Sequence, residues 1–405
     1  MFQSKKNTSA VAQADQKSSS DFAYMEPNSC YLDSACQTLR PQPVIDAEHE
    51  YYTQYNACGG RVKYKWGTMV DEKVQKARKL LLQLAGKNEK EYCVSFTLNT
   101  TYGINLVLHQ LKARDFARIV TTDIEHNSVN LPTMTWAKWH NAERLVLPRA
   151  DDGSVYYKAS DLERSVVLLN SVSNIDGRAA QNLQQLAEKT HEKGGILLVD
   201  AAQGFAHDVE RLHDTDFDAA FGSGHKMYGP SIGFIIIKRT LLDRLDPFFI
   251  GGGTVTDVTS DSYSLLRKGE EAHAVLEAGL QNWGGILGLG TAVWWFVMQQ
   301  AAREKEKQHA EMLFKGLQKH SRVHLFNRAP SPIVSFHVDG IDAHRLALYL
   351  SEQNIMCRSG YFCCHNYLQH QLNLPPLLRV SLGLYNTPAH IEKFLDALSK
   401  ILTAF

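Results

Sequence analysis

Seven short segments rich in Val, Ile, Leu and Ala recur through the first two thirds of the sequence. Most are apolar almost throughout, which is typical of strands that are covered on both faces of a sheet. Helical spacing of apolar residues is clearest between them, at 100–113 and 179–194. This alternation favours an α/β fold, with a mostly parallel seven-stranded sheet flanked by helices. The predicted strands are residues 92–96, 118–122, 144–148, 165–170, 195–200, 218–222 and 233–238.

A different pattern follows the Gly-rich stretch at residues 284–290. A long helical pattern covers residues 291–320, and its apolar first half gives way to charged residues. Shorter strand and helix patterns then follow to the C-terminus, which predicts a second, smaller α+β domain. These patterns are strands at 332–338 and 377–385 and helices at 342–353 and 388–402.

The expected domain organisation follows from these two patterns. Residues 1–28 are polar and rich in Ser, Gln and Lys, which predicts a flexible N-terminal tail. We expect a large α/β domain over residues 29–285, whose first part is a candidate to pack on the small domain. The small α+β domain is expected over residues 286–405.

The composition limits the classes of partner. The 405 residues include 43 Lys and Arg and 43 Asp and Glu, so the formal net charge is +0. No overall field therefore favours nucleic acid or an anionic membrane. The 7 cysteines, an odd number, lack the spacing of a secreted disulfide framework. We expect a small-molecule substrate, no nucleic acid or membrane partner, and reduced thiols in the cytoplasm.

A lysine among small residues is the most informative element of the sequence. Lys226 lies in FGSGHKMYGPSIGF, residues 221–234, directly after a predicted strand and before a Gly-Pro turn. The segment lacks the Gly-x-x-x-x-Gly-Lys-Ser/Thr spacing of a nucleotide-binding loop. An amine on a tight polar turn can instead form a Schiff base with an aldehyde cofactor, which is the role we infer for Lys226.

Two further segments would complete a site for such a cofactor. Asp200 ends the apolar strand ILLVD, at the edge of a parallel sheet where ligands bind, and could pair with a pyridine nitrogen. Alone, Asp200 would be interpreted as a helix cap, but its pairing with Lys226 across successive strands favours the cofactor. Thr100 and Thr101 begin a helix after a strand, where hydroxyl and N–H groups can hold a phosphate. Taken alone, this pair is more often a simple N-cap.

Four motifs together resemble the class V aminotransferase family of fold type I pyridoxal-phosphate enzymes. They are TTYGINLVL, VDAAQ with FGSGHKMYGPSIGF, EAGLQNWGGILGLG, and CRSGYFCCHN with LRVSLGLYNT. Within the family, the chain is similar to the group II cysteine desulfurases and selenocysteine lyases from about residue 31 to the C-terminus. The Ser-Gly-His-Lys element marks the superfamily, and the Arg-x-Gly-x-x-Cys element narrows the resemblance to this group.

The resemblance implies pyridoxal 5'-phosphate as the cofactor, with Lys226 as its covalent partner and as the base that takes the Cα proton of the substrate. It also implies that Asp200 pairs with the pyridine nitrogen, Gln203 reaches the phenolic oxygen and His126 stacks on the ring. Without the resemblance, His126 would be interpreted as a packed or capping residue. The candidate phosphate-binding residues are Thr100, from its place at the helix start, and Thr101, Ser223 and His225, from the resemblance.

For the substrate, the resemblance implies that Asn174 and Arg379 hold the carboxylate, with Arg358 in the same group of binding residues. A guanidinium suits this task because it binds a carboxylate through two parallel hydrogen bonds. Cys363, spaced from Arg358 as in the family, is implied to take sulfur from L-cysteine as a persulfide, releasing L-alanine. A homodimer and a sulfur-acceptor protein are further implied partners. The alternatives are selenocysteine lyase, cystine C–S lyase or aminotransferase activity, in which Cys363 has no role.

The chain departs from this group of enzymes near the cysteine itself. Tyr361 and Phe362 stand where histidines are common, and Leu280 replaces a threonine implied to contact cofactor phosphate across the dimer. Successive side chains in an extended segment point to opposite sides, so we expect Cys364 to face into packing, away from Cys363. Replacement of Cys364 by Ala should then be mild. No metal is assigned, but a zinc site remains an open alternative and would use Cys357, Cys363, Cys364 and His365.

Overall fold

A computed structural model describes residues 21–60, 62–266, 269 and 271–405. By backbone contacts the chain groups into two units. The large unit comprises Val44–Val172 and Ala179–Trp294, and the small unit comprises Ser173–Arg178, Trp295–Phe405 and the described residues up to Pro43. The domain division near residue 285 remains a prediction. Residues 1–20 of the predicted tail lie outside the described residues.

The large unit contains the predicted seven-stranded sheet, and each of the seven predicted segments forms one of its strands. Four of the six strand pairings are parallel. Gly233–Lys238 runs antiparallel to both of its neighbours, which makes the sheet mixed but mostly parallel. The predicted fold class is thereby confirmed. In spatial order the strands are Tyr92–Thr97, Gly233–Lys238, Ala219–Ser223, Ile196–Asp200, Ser165–Asn170, Arg118–Thr122 and Glu143–Leu147.

Helices cover this sheet and bury an apolar core that includes Ile104, Trp136, Leu198, Phe221 and Ile235. A short antiparallel hairpin, Val255–Val258 with Tyr263–Leu265, lies outside the sheet. The α-helices up to residue 297 are Gln42–Gln54, Lys65–Leu84, Thr100–Leu108, Asn127–His140, Leu183–Glu192, Gly204–His207, Val209–Asp214, Arg239–Leu242 and Trp283–Val297. Short 3-10 turns cover Ala113–Asp115, Ala159–Leu162, Gly224–Lys226 and Ala272–Leu276.

The Gly-rich stretch is helical, which differs from the expectation of a helix beginning after it. The helix Trp283–Val297 runs through the glycines, and a separate helix, Gln300–Leu317, follows it. The glycines permit close packing inside the large unit: a Cβ on Gly288 would lie 2.8 Å from Cγ of Pro230, and one on Gly290 would lie 2.9 Å from Cβ of Ala77. These glycines allow close contact with Pro230 and with the helix Lys65–Leu84 rather than forming a turn. The sequence pattern alone does not distinguish the two uses of glycine.

The small unit is the predicted α+β structure. Its four-stranded sheet is antiparallel throughout, with strands in the order Val323–Leu325, Ile333–Val338, Leu377–Ser381 and Arg358–Gly360. A two-residue strand, Cys30–Tyr31, pairs in parallel with Ile355–Met356. The remaining helices are Gln300–Leu317, Ala343–Ser351 and Pro388–Ala404, with a π-helical turn at Asn366–Gln371. In the part of the chain that the structure describes, no helix combines the length and apolarity needed to cross a membrane.

Candidate active site

Lys226 lies at the end of the 3-10 turn Gly224–Lys226, directly after the strand Ala219–Ser223. The small residues before it are required by close contacts. A Cβ on Gly222 would lie 2.2 Å from Cζ of Phe234, and one on Gly224 would lie 2.7 Å from the carbonyl oxygen of Pro230. The N–H groups of Met227 and Gly229 both donate to the carbonyl oxygen of Gly224 at 2.8 Å. The turn therefore fixes the backbone of Lys226 at the edge of the sheet.

Asp200 ends the neighbouring parallel strand, so its carboxylate and the Lys226 turn lie at the same carboxyl edge of the sheet. The side chain is buried, and its Oδ1 accepts the N–H of Ala202 at 2.9 Å. Burial raises the pKa of Asp200 above its ordinary value, and the positive charge of Lys226 opposes that rise. Gln203 is also buried, immediately before the helix Gly204–His207.

Hydroxyl groups connect four of the other predicted residues in the large unit. The N–H of Thr100 donates to Oγ of Ser223 at 3.0 Å, and the two hydroxyls lie 2.7 Å apart. Oγ1 of Thr101 lies 2.6 Å from Oγ of Ser128. Ser128 also donates its N–H to Nδ1 of His126 at 3.0 Å, which caps the helix Asn127–His140. The structure thus pairs Thr100 with Ser223, and links Thr101 to His126 through Ser128, which the sequence did not indicate.

His225 lies within the 3-10 turn, between Gly224 and Lys226, and is partly exposed. Its place beside Lys226 follows from the sequence alone. The role of His225 at a phosphate, like the roles of the other predicted residues, remains a prediction.

Glu125 is a buried carboxylate next to His126 that the sequence analysis missed. It accepts hydrogen bonds from Oγ1 of Thr122 at 2.5 Å and from the N–H and Nδ2 of Asn170 at 2.9 and 2.8 Å. Burial raises the pKa of Glu125 to about 7, although the guanidinium of Arg149 opposes the rise. The signal in the sequence is weak: an acid directly before His126, three residues after the strand Arg118–Thr122.

The small unit holds two of the predicted substrate-binding residues around one carboxylate, Asp33. Nη2 of Arg379 donates to Oδ1 of Asp33 at 3.3 Å, while Nε and Nη2 of Arg358 donate to Oδ2 at 3.0 and 2.8 Å. Nη1 of Arg379 donates to the backbone carbonyl of Asn174 at 2.9 Å. Asp33 was not identified from the sequence, because an acid after a two-residue strand carries no recognisable pattern.

This cluster retains one unsatisfied donor and one excess positive charge. Arg379 is 3% exposed, and its Nε is buried with no hydrogen-bond partner among the described residues. Burial lowers the pKa of Arg379, and the carboxylate of Asp33 opposes that effect. One carboxylate between two guanidiniums leaves a net charge of one, so the cluster can accept an anion through charge-assisted hydrogen bonds.

The two adjacent cysteines differ in exposure. Cys363 is exposed and Cys364 is buried, as predicted for the second thiol. Cys364 does more than pack, however, because its Sγ donates to Oδ1 of Asn174 at 3.4 Å. Among the described residues, the one cluster of three or more potential metal ligands is His324, His337 and Asp339. The structure therefore does not assemble the zinc site considered for Cys357, Cys363, Cys364 and His365.

Comparison with known proteins identifies the family. The model for aminotransferase class-V matches residues 30–394, which is most of the chain. The chain belongs to the class V aminotransferase family. The resemblance drawn from the sequence motifs is thereby confirmed.

Three curated relatives match this chain over most of their own length. A probable cysteine desulfurase of Haemophilus influenzae is 34% identical over 389 residues, which cover 92% of this chain and 85% of the relative. A probable cysteine desulfurase of Pyrococcus abyssi is 31% identical, with 92% and 94% covered. A cysteine desulfurase of Escherichia coli O157:H7 is 29% identical, with 92% and 93% covered.

Solved structures show the same fold. The apo cysteine desulfurase of Thermococcus onnurineus NA1 superposes with a TM-score of 0.84 at 28% identity, covering 93% of this chain and 95% of that one. The Escherichia coli cysteine desulfurase CsdA, in an S-sulfonic acid form, gives a TM-score of 0.84 at 26% identity, with 98% and 99% covered. The chain therefore shares its fold with these two cysteine desulfurases over 93% and 98% of its length.

Proposed function

We propose that the chain is a pyridoxal-phosphate-dependent cysteine desulfurase, which converts L-cysteine to L-alanine and takes the sulfur onto Cys363 as a persulfide. The observation that carries the proposal is that Lys226 and the buried Asp200 lie at the same carboxyl edge of the sheet, where the charge of Lys226 acts on the carboxylate. It occurs in a chain that matches curated cysteine desulfurases over 92% of its length.

The side chains of the large unit fit the chemistry of this cofactor. A buried carboxylate whose pKa is raised gains from a cationic hydrogen-bond donor, and a protonated pyridine nitrogen is such a donor for Asp200. The hydroxyls of Thr100, Thr101 and Ser223 lie at or beside the start of the helix Thr100–Leu108, where backbone N–H groups favour a phosphate. The amine of Lys226 supplies the group that reacts with an aldehyde.

When bound, pyridoxal phosphate draws electrons from the substrate and so makes its Cα proton easier to remove. Lys226 would hold the cofactor through Nζ, and the same amine, once free, would accept the Cα proton of the substrate. Asp200 keeps the proton on the pyridine nitrogen through its negative charge. His126, Gln203 and His225 would hold the ring, its phenolic oxygen and the phosphate.

The small unit supplies the proposed carboxylate site. The buried Nε of Arg379 is an unsatisfied donor, and leaving it so costs free energy that a bound carboxylate would recover. Arg358 and Asp33 fix the other side of the cluster, because Asp33 accepts from both guanidiniums. Asn174 lies against Arg379, and its Nδ2, which gives one hydrogen to the carbonyl oxygen of Phe362, has a second hydrogen to donate to the same ligand.

Cys363 is the proposed sulfur acceptor because it is the exposed thiol of the Arg-x-Gly-x-x-Cys motif. Its thiolate attacks the sulfur of the substrate and forms an S–S bond, while the Cβ–S bond of the substrate breaks. The electron pair of that bond remains on carbon, which takes up a proton and becomes the methyl group of alanine. An acceptor thiol, on a protein or a small molecule, then removes the sulfur and restores Cys363.

The proposal includes a homodimer in the cytoplasm. In the large unit, the side chain of Leu280 is 79% exposed in the Gly279–Gln281 segment. In the family resemblance this position faces the cofactor of a second subunit, and the sites of fold type I enzymes are usually completed by a second chain. All seven cysteines are free, which agrees with a cytoplasmic enzyme.

The test is the formation of alanine and sulfide from L-cysteine, with L-selenocysteine measured beside it. Cys363→Ala should lose sulfur release from L-cysteine by at least about a hundredfold, while the cofactor's visible absorbance is retained. Cys58→Ala is the matched control, because Cys58 is also an exposed thiol and should be dispensable. Unchanged turnover in Cys363→Ala would overturn the proposal and favour a lyase or aminotransferase that makes no persulfide.

A further inference from the structure

The exposed thiol of Cys363 is presented by a tight turn with an unusual backbone. The N–H of Cys364 donates to the carbonyl oxygen of Tyr361 at 2.7 Å, which closes a four-residue turn. Its two central residues, Phe362 and Cys363, have φ angles of 48° and 59°. Positive φ at both central positions is the signature of a type I′ turn.

This turn is strained because neither central residue is suited to it. Type I′ turns strongly favour Asn-Gly, and an L-residue with a bulky side chain pays a steric cost in the left-handed region. Such conformations persist only where surrounding contacts enforce them, and they concentrate at functional sites. The conformation of Phe362 and Cys363 therefore needs a clamp from elsewhere in the small unit.

The carboxamide of Asn174 is that clamp, because it contacts the turn through both of its polar atoms. Nδ2 donates to the carbonyl oxygen of Phe362 at 2.9 Å, and Oδ1 accepts from Sγ of Cys364 at 3.4 Å. Arg379 supports the same arrangement, since it donates to the backbone carbonyl of Asn174 and its guanidinium lies 4.7 Å from the centre of the Phe362 ring. The two predicted carboxylate-binding residues thus also hold the turn that carries Cys363.

We propose that Cys364 is a positioning residue: its thiol fixes the orientation of the Asn174 carboxamide, which in turn holds Cys363 in its left-handed turn. The catalytic meaning of this arrangement rests on the proposed function, in which Cys363 accepts sulfur. The contacts of Asn174 with the turn do not depend on catalysis, so they can be tested even if the protein has a different activity.

The thiol matters because an amide has a donor end and an acceptor end. A carboxamide rotated by a half turn would place Oδ1 against the carbonyl oxygen of Phe362 and lose that hydrogen bond. The donor Sγ–H of Cys364 favours the observed orientation and disfavours the rotated one. In the observed orientation, Nδ2 keeps a second hydrogen for a carboxylate beside Arg379. The same thiol thereby orders both the turn and the proposed substrate-binding amide.

The backbone N–H of Cys364 reports directly on the turn, because it makes the closing hydrogen bond. Hydrogen exchange with peptide-resolved mass spectrometry, corrected for intrinsic exchange, should show about three-fold faster exchange at this position in Cys364→Ala, the effect of losing one weak hydrogen bond. Cys364→Ser keeps a donor and should recover most of the protection. The same rescue is expected in kcat/KM for L-cysteine.

Cys30→Ala is the matched control. Cys30 is a fully buried thiol of the small unit whose Sγ also donates at 3.4 Å, but to the backbone carbonyl of His390. It should leave exchange at residue 364 unchanged. Equal exchange in wild type and Cys364→Ala would overturn the proposal, as would an equal increase in Cys30→Ala or a failure of Ser to restore protection. Faster exchange in Cys364→Ala, in a protein that releases no sulfur, would instead retain the clamp and reject the proposed function.

Discussion

Replacing Glu306 by Gln is expected to stabilise the protein at neutral and alkaline pH. Glu306 lies on the helix Gln300–Leu317 and is only 7% exposed. Its Oε1 is buried with no hydrogen-bond partner among the described residues. Burial therefore raises the pKa of Glu306 from 4.5 to about 8, and the charge of Arg303 opposes this only in part.

The sign and size of the effect follow from proton linkage. Between pH 4.5 and about 8 the folded state holds a proton at Glu306 that the unfolded state has lost, so the free energy of unfolding falls as pH rises. Each tenfold change in proton affinity corresponds to about 1.4 kcal/mol, which makes the full loss at most about 5 kcal/mol. Gln carries no proton to lose, so Glu306→Gln removes this pH dependence.

Urea denaturation at pH 5 and pH 8.5 measures the effect. The free energy of unfolding of Glu306→Gln minus that of wild type should be several kcal/mol greater at pH 8.5 than at pH 5. Glu304→Gln is the matched control, because Glu304 lies on the same helix and its side chain is 65% exposed. A difference between Glu306→Gln and wild type that does not change with pH would refute the argument from burial.

Two other buried carboxylates give further predictions. Asp33→Asn leaves the guanidinium of Arg379 without a buried counter-charge, so we expect the free energy of unfolding to fall by about 3 kcal/mol. In thermal unfolding, added sulfate should restore part of this loss. A loss that sulfate does not change would contradict the interpretation that the cluster has an excess positive charge. Glu277→Gln breaks a bidentate pair with Arg78, in which both distances are 2.8 Å and both side chains are buried. We expect it to lower the urea midpoint by an amount equivalent to about 3 kcal/mol, and an unchanged midpoint would show that the pair adds no net stability.

Much of the fold could be predicted from the sequence, because its strands are short, apolar and separated by turn residues. The segments 165–170 and 233–238 form strands with those bounds, since strands buried on both faces carry a strong signal. The helix predicted over 100–113 ends at Leu108 instead, although the apolar pattern continues. The helix Trp283–Val297 was predicted to begin later, because glycines that serve close packing resemble glycines that break helices.

The candidate site was predictable where a residue belongs to a motif, as for Lys226 and Asp200, and not where tertiary contacts define its role. Asp33 lies 325 positions before Arg358 in the chain, and only the folded small unit reveals their pairing. The same holds for the contact of Cys364 with Asn174, which lies 190 positions away. The prediction that Cys364 is buried is confirmed, but the reason given for it is wrong. The segment is not extended there, because Phe362 and Cys363 form a turn with left-handed backbone angles.

The most direct test of the central claim is the mass of the Cys363 peptide after one turnover with L-cysteine in the absence of reductant. The proposed mechanism predicts that this peptide gains one sulfur atom in the wild-type protein, with one molecule of L-alanine formed for each sulfur retained. Lys226→Ala should gain none. Alanine formed without sulfur on Cys363, or with the sulfur on Cys58 instead, would contradict the assignment of Cys363 as the sulfur acceptor.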